Sequence, residues 1–564
     1  MRDCLRVTIG ELECSGLRCA YLGTVWLTGD APIGLGWIIE PIIQKLFRKP
    51  RINTLEFHAP RTGFEIHSLG IEKPVIIGNM KGFLRANAWR VTATSVLLLV
   101  PCFWHRRIEA SDLASHTYNA WLAQLIARGQ APSLYVVPQA TNVMFDVALA
   151  RLGGLIGLGA AERVVVPACI LIFFWGAYAL ASAVTGRPPW FLAPALAMVA
   201  YGWTFSMGFM NYYLSTGLAF FGTAIFLRAR GWDRMLALVV AVGVFLAHVI
   251  GFALMIGMVA YFELSNRLRG WLRWCLPVTA LLVIAGVSLY VARHYQAVGW
   301  VTSVFYIFNG SDQLAVYGTR YRILSFVALA FGLACFLHGV IRAPGKADLR
   351  SALRTPLELW VVLLFFAAVF PEVIFFPPAE QPLALIVSRL TCVTAVVGMC
   401  ALGCLPAKRW YFAGLAACAG VFFAFLYQDT GRINRMEENA ERLVSGLPPG
   451  HRVMQSIWLP DSQIQFMGHI VDRACIGRCV AYSNYEPSTG QFRIRVRPGS
   501  PLVTSSAMES ETMEEGDYVV QPKDLPVAQV YQCDPMDFTQ LCIRELTAGE
   551  KNGRLGYAPP KDLR

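Results

Sequence analysis

A chain of 564 residues that is 55% hydrophobic and 15% charged, with a mean hydropathy of +0.47, is not an ordinary soluble globule. Its formal charge of +12 would suggest nucleic acid in a soluble protein, but residues 428 onward carry about −3 and the apolar part about +15, mostly in short loops. That distribution orients a chain in a membrane, and no nucleic-acid partner is expected.

Residues 1–79 show no clear signal peptide, and the basic stretch from Met80 to Arg90 reads as a natural start ahead of a first span. The segment before it is either an over-extended gene start or a cytoplasmic extension with an interfacial helix over 33–49; it receives no chemistry. Apolar runs long enough to cross follow at about 89–104, 163–184, 190–207, 210–228, 234–249, 250–265, 272–292, 321–341, 357–377, 383–404 and 410–427. The expected fold class is therefore mainly α, a polytopic transmembrane bundle of about eleven spans over 80–427. Several runs are short and belong inside the bundle. Positive charge falls in alternate loops: Lys81, Arg85 and Arg90; Arg187; Arg228 to Arg234; Arg267 to Arg273; Arg342 to Arg354; Lys408 and Arg409. These belong on the cytoplasmic side, which puts the N-terminus inside and the C-terminal part outside.

The same alternation makes 105–162 one long external loop with two interfacial helices, at about 112–128 and 142–158, joined by a Gly-Gln-Ala-Pro turn at 129–132. The loop opens with Glu109, Asp112 and His116, a set able to serve as general base, metal ligand or substrate clamp. Asp112 with Ser111 also suits a helix N-cap, and Glu109 could pair with Arg106 and Arg107. His116 shares a helix face with Asp112, and Asn119 extends it, while Trp121, Leu122, Leu125 and Ile126 suit a membrane-facing side. Asn142 and Asp146 begin the second helix and would wall the same pocket, although Asn142 also suits a cap.

Within the later spans, Arg389 is the candidate anion clamp, roughly 9 Å inside its span at the helical rise per residue. A guanidinium matches phosphate oxygens, and the competing reading is an ion pair with Glu372 or Glu380. His248 and Asn211 sit at outer span ends and could line the same cavity or simply pack. Arg293, Arg320 and Arg322, with His294 and Asp312, lie in the external segment 293–322.

From 428 to 564 the chain turns polar, with a helix near 432–445 and strand-like runs at 491–497 and 517–521: a small α/β extracytoplasmic domain. Cys475, Cys479, Cys533 and Cys542 are disulfide candidates on an oxidising side, and no second close Cys or His pair completes a zinc site. The chain lacks a phosphate-binding glycine loop, a His-Glu-x-x-His and a Gly-x-Ser-x-Gly, which removes the usual parts of ATP-driven transport, zincin proteolysis and serine hydrolysis.

One span, a long external loop with acidic residues at its start, a bundle of about ten further spans and an external tail together resemble the GT-C glycosyltransferases. The resemblance covers the layout of 80–564, and only 105–162 in anything like a motif. It implies an enzyme of the bacterial inner membrane that moves a sugar from a polyprenyl-phosphate donor to an envelope glycan, lipid or protein acceptor. In that family an Asp or Glu of the first external loop is the base or a metal ligand. That role falls here on Asp112 or Glu109, with Mg or Mn as the possible ion and Glu109, Asp112 and His116 as its ligands. The loop has no adjacent Asp-Asp or Glu-Asp pair, and the tail lacks the tryptophan-rich signature of oligosaccharyltransferases. The rival classes are a transporter or lipid flippase, for which neither a repeat nor a central charge cluster is evident, and a non-catalytic scaffold.

Overall fold

Among the described residues, seven helices are long and apolar enough to cross a membrane: Leu158–Thr185, Val249–Arg267, Gly270–His294, Thr319–Ile341, Lys346–Val369, Ile386–Gly403 and Arg409–Ser445. In hydrocarbon each backbone N–H and C=O needs a partner within the segment, and the helix supplies it locally. The structure, a computed structural model, describes residues 75–553 apart from 301–308, 344, 377–381, 458–461, 463, 465–468, 498–499, 501–502, 504–505, 535–536 and 538. The readings made of 1–74 and of Glu380 lie outside the described residues.

The four remaining apolar runs fold differently from a simple span. Residues 89–104 begin in the helix Val75–Leu99, which is bent at Asn87, and continue into a short turn. Residues 190–207 break into Trp190–Leu192, Ala193–Ala200 and Trp203–Ser206. Met210–Arg228 is a helix of 19 residues that buries Asn211, Ser215, Thr216 and Thr223. Met235–Ala247 has 13 residues, about 20 Å of helix, short of the roughly 30 Å of a hydrocarbon core. Among the described residues, seven of the eleven expected spans thus combine the length and the apolarity.

Leu158–Thr185 and Met210–Arg228 meet at the heart of the bundle through glycine. A Cβ on Gly176 would stand 2.3 Å from the carbonyl oxygen of Gly217, and one on Gly217 would stand 2.7 Å from Cα of Phe173. Bare backbone at both positions lets the helices touch, the usual device where lipid offers no hydrophobic drive to packing.

The loop 105–162 contains both of the helices expected of it, at close to the expected bounds. Its helices are Leu113–Ala127 and Met144–Ile156, and the first buries Ser115, Thr117 and Asn119 together with Leu113, Ala114 and Leu122. Ser115 and Asn119 face Glu486 of the C-terminal part, so the polar side of the helix is covered by protein instead of water. Between the two helices β1 (Leu134–Val136) pairs antiparallel with β6 (Ile494–Val496), the strand foreseen at 491–497. The second helix runs through Gly157, at φ 87°, into Leu158–Thr185.

A two-stranded antiparallel pair joins β2 (Gln296–Trp300) to β3 (Pro371–Phe375). The C-terminal sheet has four strands in the order β5 (Val480–Ala481), β4 (Arg452–Ser456), β7 (Val527–Gln532) and β8 (Leu541–Leu546). Its first two pairings are parallel and the last is antiparallel. The run 517–521 contributes only a bridge between Val519 and Lys551. Cys475 is bonded to Cys479, and Cys533 to Cys542. The helix expected at 432–445 is the C-terminal end of Arg409–Ser445, whose 37 residues extend about 55 Å and outrun any bilayer core.

One turn decides where the loop helix begins. The N–H of Ser111 donates to the carbonyl of Ser206 at 2.8 Å and that of Asp112 to the carbonyl of Met207 at 3.1 Å. Gly208 closes this turn at φ +80°, and a Cβ there would lie 2.4 Å from the nitrogen of Asp112. Both the left-handed conformation and the backbone contact demand glycine. Gly208→Ala is expected to destabilise the protein by about 1–3 kcal/mol or more, read as a lower melting temperature of the purified protein; an unchanged melting curve would show that the turn yields freely.

Candidate active site

Asp112 occupies the N-cap position of Leu113–Ala127, yet its side chain makes no capping hydrogen bond. The carboxylate is part-exposed, and its Oδ1 lies 3.7 Å from Nε2 of His469. The capping role that competed with chemistry at this residue is therefore absent. Residue 112 is held by its backbone, through the turn at Gly208, and its carboxylate is left to other partners.

One turn along, His116 turns away from Asp112. Its Nδ1 meets Oδ1 of Asp146 at 2.6 Å, and Oδ2 of Asp146 accepts from Nδ2 of Asn211 at 2.7 Å. Oδ1 of Asn211 in turn accepts from the N–H of Phe145 at 2.8 Å. Three residues from three separate helices thus form one chain of bonds. Burial disfavours the imidazolium, but the Asp146 carboxylate, followed by Glu486 and Asp112, outweighs it and lifts His116 to about 9.

The C-terminal part brings groups that the sequence did not single out. Nδ1 of His469 bonds Oδ2 of Asp472 at 2.9 Å. Burial again opposes the charge, and Asp472, with Asp112 and Glu514 behind it, raises His469 to about 10. Glu486 accepts from Ser115 Oγ at 2.5 Å and from Asn119 Nδ2 at 2.7 Å, and burial pushes its carboxyl up to about 7 against the nearby His116 charge. Asn484 donates to Oδ1 of Asn119 at 3.1 Å. Asn119 therefore serves as a strut between the loop and the C-terminal part. The spacing of His469 and Asp472, three apart on a short helical turn, was the available signal, but nothing local tied it to a loop more than 300 residues earlier.

Arg389 lies one turn inside Ile386–Gly403, with its guanidinium 4.0 Å above the ring of Phe209. Its Nε is buried without a hydrogen-bond partner, and among the described residues it has no ion pair within 4 Å. Of the opposite charges acting on it, Asp112 is the strongest. Of the two ion pairs that compete with the anion clamp, the one with Glu372 does not form, and Glu380 lies outside the described residues. Glu372 instead accepts from the N–H groups of Val387 and Ser388 and from the Ser388 hydroxyl, closing the helix N-terminus after Leu385, which sits at φ 57°.

Three further expected site residues each have partners of their own. Arg320 is bound to Asp429 at 2.6 Å and to Gln428 at 2.8 Å, joining Thr319–Ile341 to the long helix. Nδ1 of His248 accepts from the N–H of Ile250 at 3.1 Å and caps Val249–Arg267, with its ring edge-on to Tyr212 at 5.5 Å. Glu109 faces another cluster, where Asn434 donates to it at 2.6 Å. Burial, reinforced by Glu437, drives its carboxyl well above the usual range. Glu109, Asp112 and His116 thus point to three different partners, and among the described residues no group of three or more His, Cys, Asp or Glu is arranged to hold a metal ion.

The assembled centre has a part-exposed carboxylate, a cation with no ion pair among the described residues, and two histidines whose carboxylate partners favour the charged form, arranged where loop, bundle and C-terminal part meet. Such a set can take a proton and hold an anion. No protein-family model, curated protein or solved structure matches the chain.

The His116–Asp146 pair carries a pH dependence with a definite sign. The folded imidazole titrates at about 9 against an ordinary 6.5, so the proton bound on folding stabilises the protein fully below pH 6.5 and its contribution fades as pH rises through 9. The stake is on the order of 3 kcal/mol. Thermal unfolding between pH 6 and 10 should show wild type losing stability over this window and Asp146→Asn losing distinctly less. Parallel pH profiles for the two proteins would contradict the pairing.

Proposed function

We propose that the protein is a polytopic membrane glycosyltransferase of GT-C type, moving a sugar from a polyprenyl-phosphate donor to an acceptor at the outer face of a bacterial inner membrane. The observation that carries this reading is Asp112, whose carboxylate has no capping bond, together with Arg389, whose guanidinium has no ion pair among the described residues and rests on Phe209, next to the turn that holds Asp112. Charge-bearing groups at the level of a bilayer are costly unless partnered or used. A base and an anion clamp placed together are the two parts that sugar transfer from a phosphate requires.

The step balances as follows. The acceptor hydroxyl gives its proton to the Asp112 carboxylate while its oxygen bonds the anomeric carbon. The bond from that carbon to the phosphate oxygen breaks, and its electron pair leaves with polyprenyl phosphate, whose negative charge Arg389 stabilises. His469, fixed by Asp472, holds Asp112 from the side of the C-terminal part. His116, Asp146 and Asn211 keep the wall beside it rigid, which matters because a misplaced base loses most of its effect.

Purified protein in proteoliposomes, supplied with a polyprenyl-phosphate sugar and an acceptor, tests this directly. Asp112→Asn should lower transfer by about 10²–10⁴-fold with folding intact. Arg389→Gln should chiefly raise KM for the donor, by about ten- to a hundredfold. Full transfer by Asp112→Asn would remove Asp112 from the mechanism. Passage of an unmodified substrate across the vesicle wall without a new glycosidic bond would point to a transporter instead.

A further inference from the structure

His248, near Tyr212 and Arg389, opens the helix Val249–Arg267, and the far end of that helix lies about 27 Å away at the helical rise. Two groups of the same make stand at that end. Glu263 binds Arg267 at 2.5 Å and Arg234 at 3.5 Å. Glu358 binds Arg273 at 2.5 Å and Arg354 at 2.9 Å. Each group holds two guanidinium charges against one carboxylate, so each keeps a positive charge in excess.

The second group is also short of acceptors. Arg273 is buried, with 6% of its side chain exposed, and among the described residues its Nη1 has no hydrogen-bond partner; neither has Nη2 of Arg354. The hydroxyls nearby are already committed, Tyr261 to Glu358 at 3.3 Å and Thr355 to Ser265 at 2.7 Å and Arg273 at 3.3 Å. Unfilled donors on a charged group are costly, and the cost is offset when an anionic oxygen arrives. Arg354 is one-third exposed and lies against Trp274, its guanidinium 4.2 Å from the ring centroid, while Trp274 itself is exposed at 64%. An exposed tryptophan beside an arginine at a helix end is the signature of the interface between lipid and water. Arg267 ends this helix, Arg269 stands at the N-cap of Gly270–His294 and Arg350 lies one turn before Arg354, a basic run that the positive-inside rule assigns to the leaflet facing the cytoplasm, where anionic lipids gather.

We propose that Arg273, Arg354 and Glu358 form a binding site for the phosphate of an anionic phospholipid, with Trp274 packed against its glycerol and upper acyl chain. Glu358 sets the affinity by competing with the phosphate for both arginines. The site stands apart from Asp112 and Arg389 and is independent of the reaction assigned to them.

The test uses the full-length protein purified in detergent, titrated with phosphatidylglycerol or phosphatidylcholine and read by native mass spectrometry and melting temperature. Wild type should retain phosphatidylglycerol in preference to phosphatidylcholine and be stabilised by it. Arg354→Gln should weaken that retention about tenfold, as loss of one charge-assisted bond would. Glu358→Gln, which frees both arginines, should tighten it. Equal retention of the two lipids would overturn the site, as would phosphatidylglycerol retention unaffected by Arg354→Gln and Glu358→Gln. Equal stabilisation by inorganic phosphate alone would overturn the lipid as its ligand.

Discussion

A buried knot of charge holds the three parts of the site in one frame. Glu437, on the long helix, bonds Arg107 of the first loop at 2.9 Å and Arg473 of the C-terminal part at 2.8 Å. Arg473 also reaches Glu162, on the first turns of Leu158–Thr185, at 3.5 Å, and the carbonyl of Ile108 at 3.2 Å. Asn434 adds bonds to the N–H and carbonyl of Arg107 and to Glu109. Taking one partner from a buried pair leaves a charge uncompensated, at about 3–5 kcal/mol, so these segments separate only together. The high-lying carboxyl of Glu109 fits the same logic: it is buried beside Glu437 and, among the described residues, has no ion pair of its own, so its charged form is disfavoured.

Because Arg473 is anchored, so is His469, four residues earlier at the start of the same short helix. His469 then meets Asp112, which the backbone bonds to Ser206 and Met207 and the turn at Gly208 hold from the other side. The position of the candidate base is thus determined by contacts from the bundle and from the C-terminal part, and hardly by its own helix. His116, Asp146 and Asn211 repeat the principle with hydrogen bonds, and Arg389 rests on Phe209, beside the same turn.

This explains which features were legible in the sequence. Hydropathy alone marked the seven spanning helices, because continuous apolar runs have few other uses. Fewer helices stand out in the structure because one run is broken, at Gly202 in 190–207, and another, Met210–Arg228, is rich in buried hydroxyls. The acidic opening of the loop was visible as an isolated polar cluster, and Asp146 and Asn211 as polar residues at helix starts. Their joining was not, since it depends on bonds between separate helices. The same limit hid His469 and Glu486. It also hid the partner of Arg320, Asp429 on the helix Arg409–Ser445, and the service of the Glu372 carboxylate to a helix terminus. A capping residue and a free carboxylate look alike in sequence; only the geometry at Asp112 separates them.

The central claim is that Asp112 and Arg389 face one bound sugar phosphate. The most direct measurement is a cryo-EM structure of the full-length protein in nanodiscs with a non-transferable polyprenyl-phosphonate sugar. The account predicts phosphonate oxygens within hydrogen-bond distance of the Arg389 guanidinium and the anomeric carbon turned towards Asp112. Phosphonate density elsewhere, with Arg389 still resting on Phe209 alone, would contradict it.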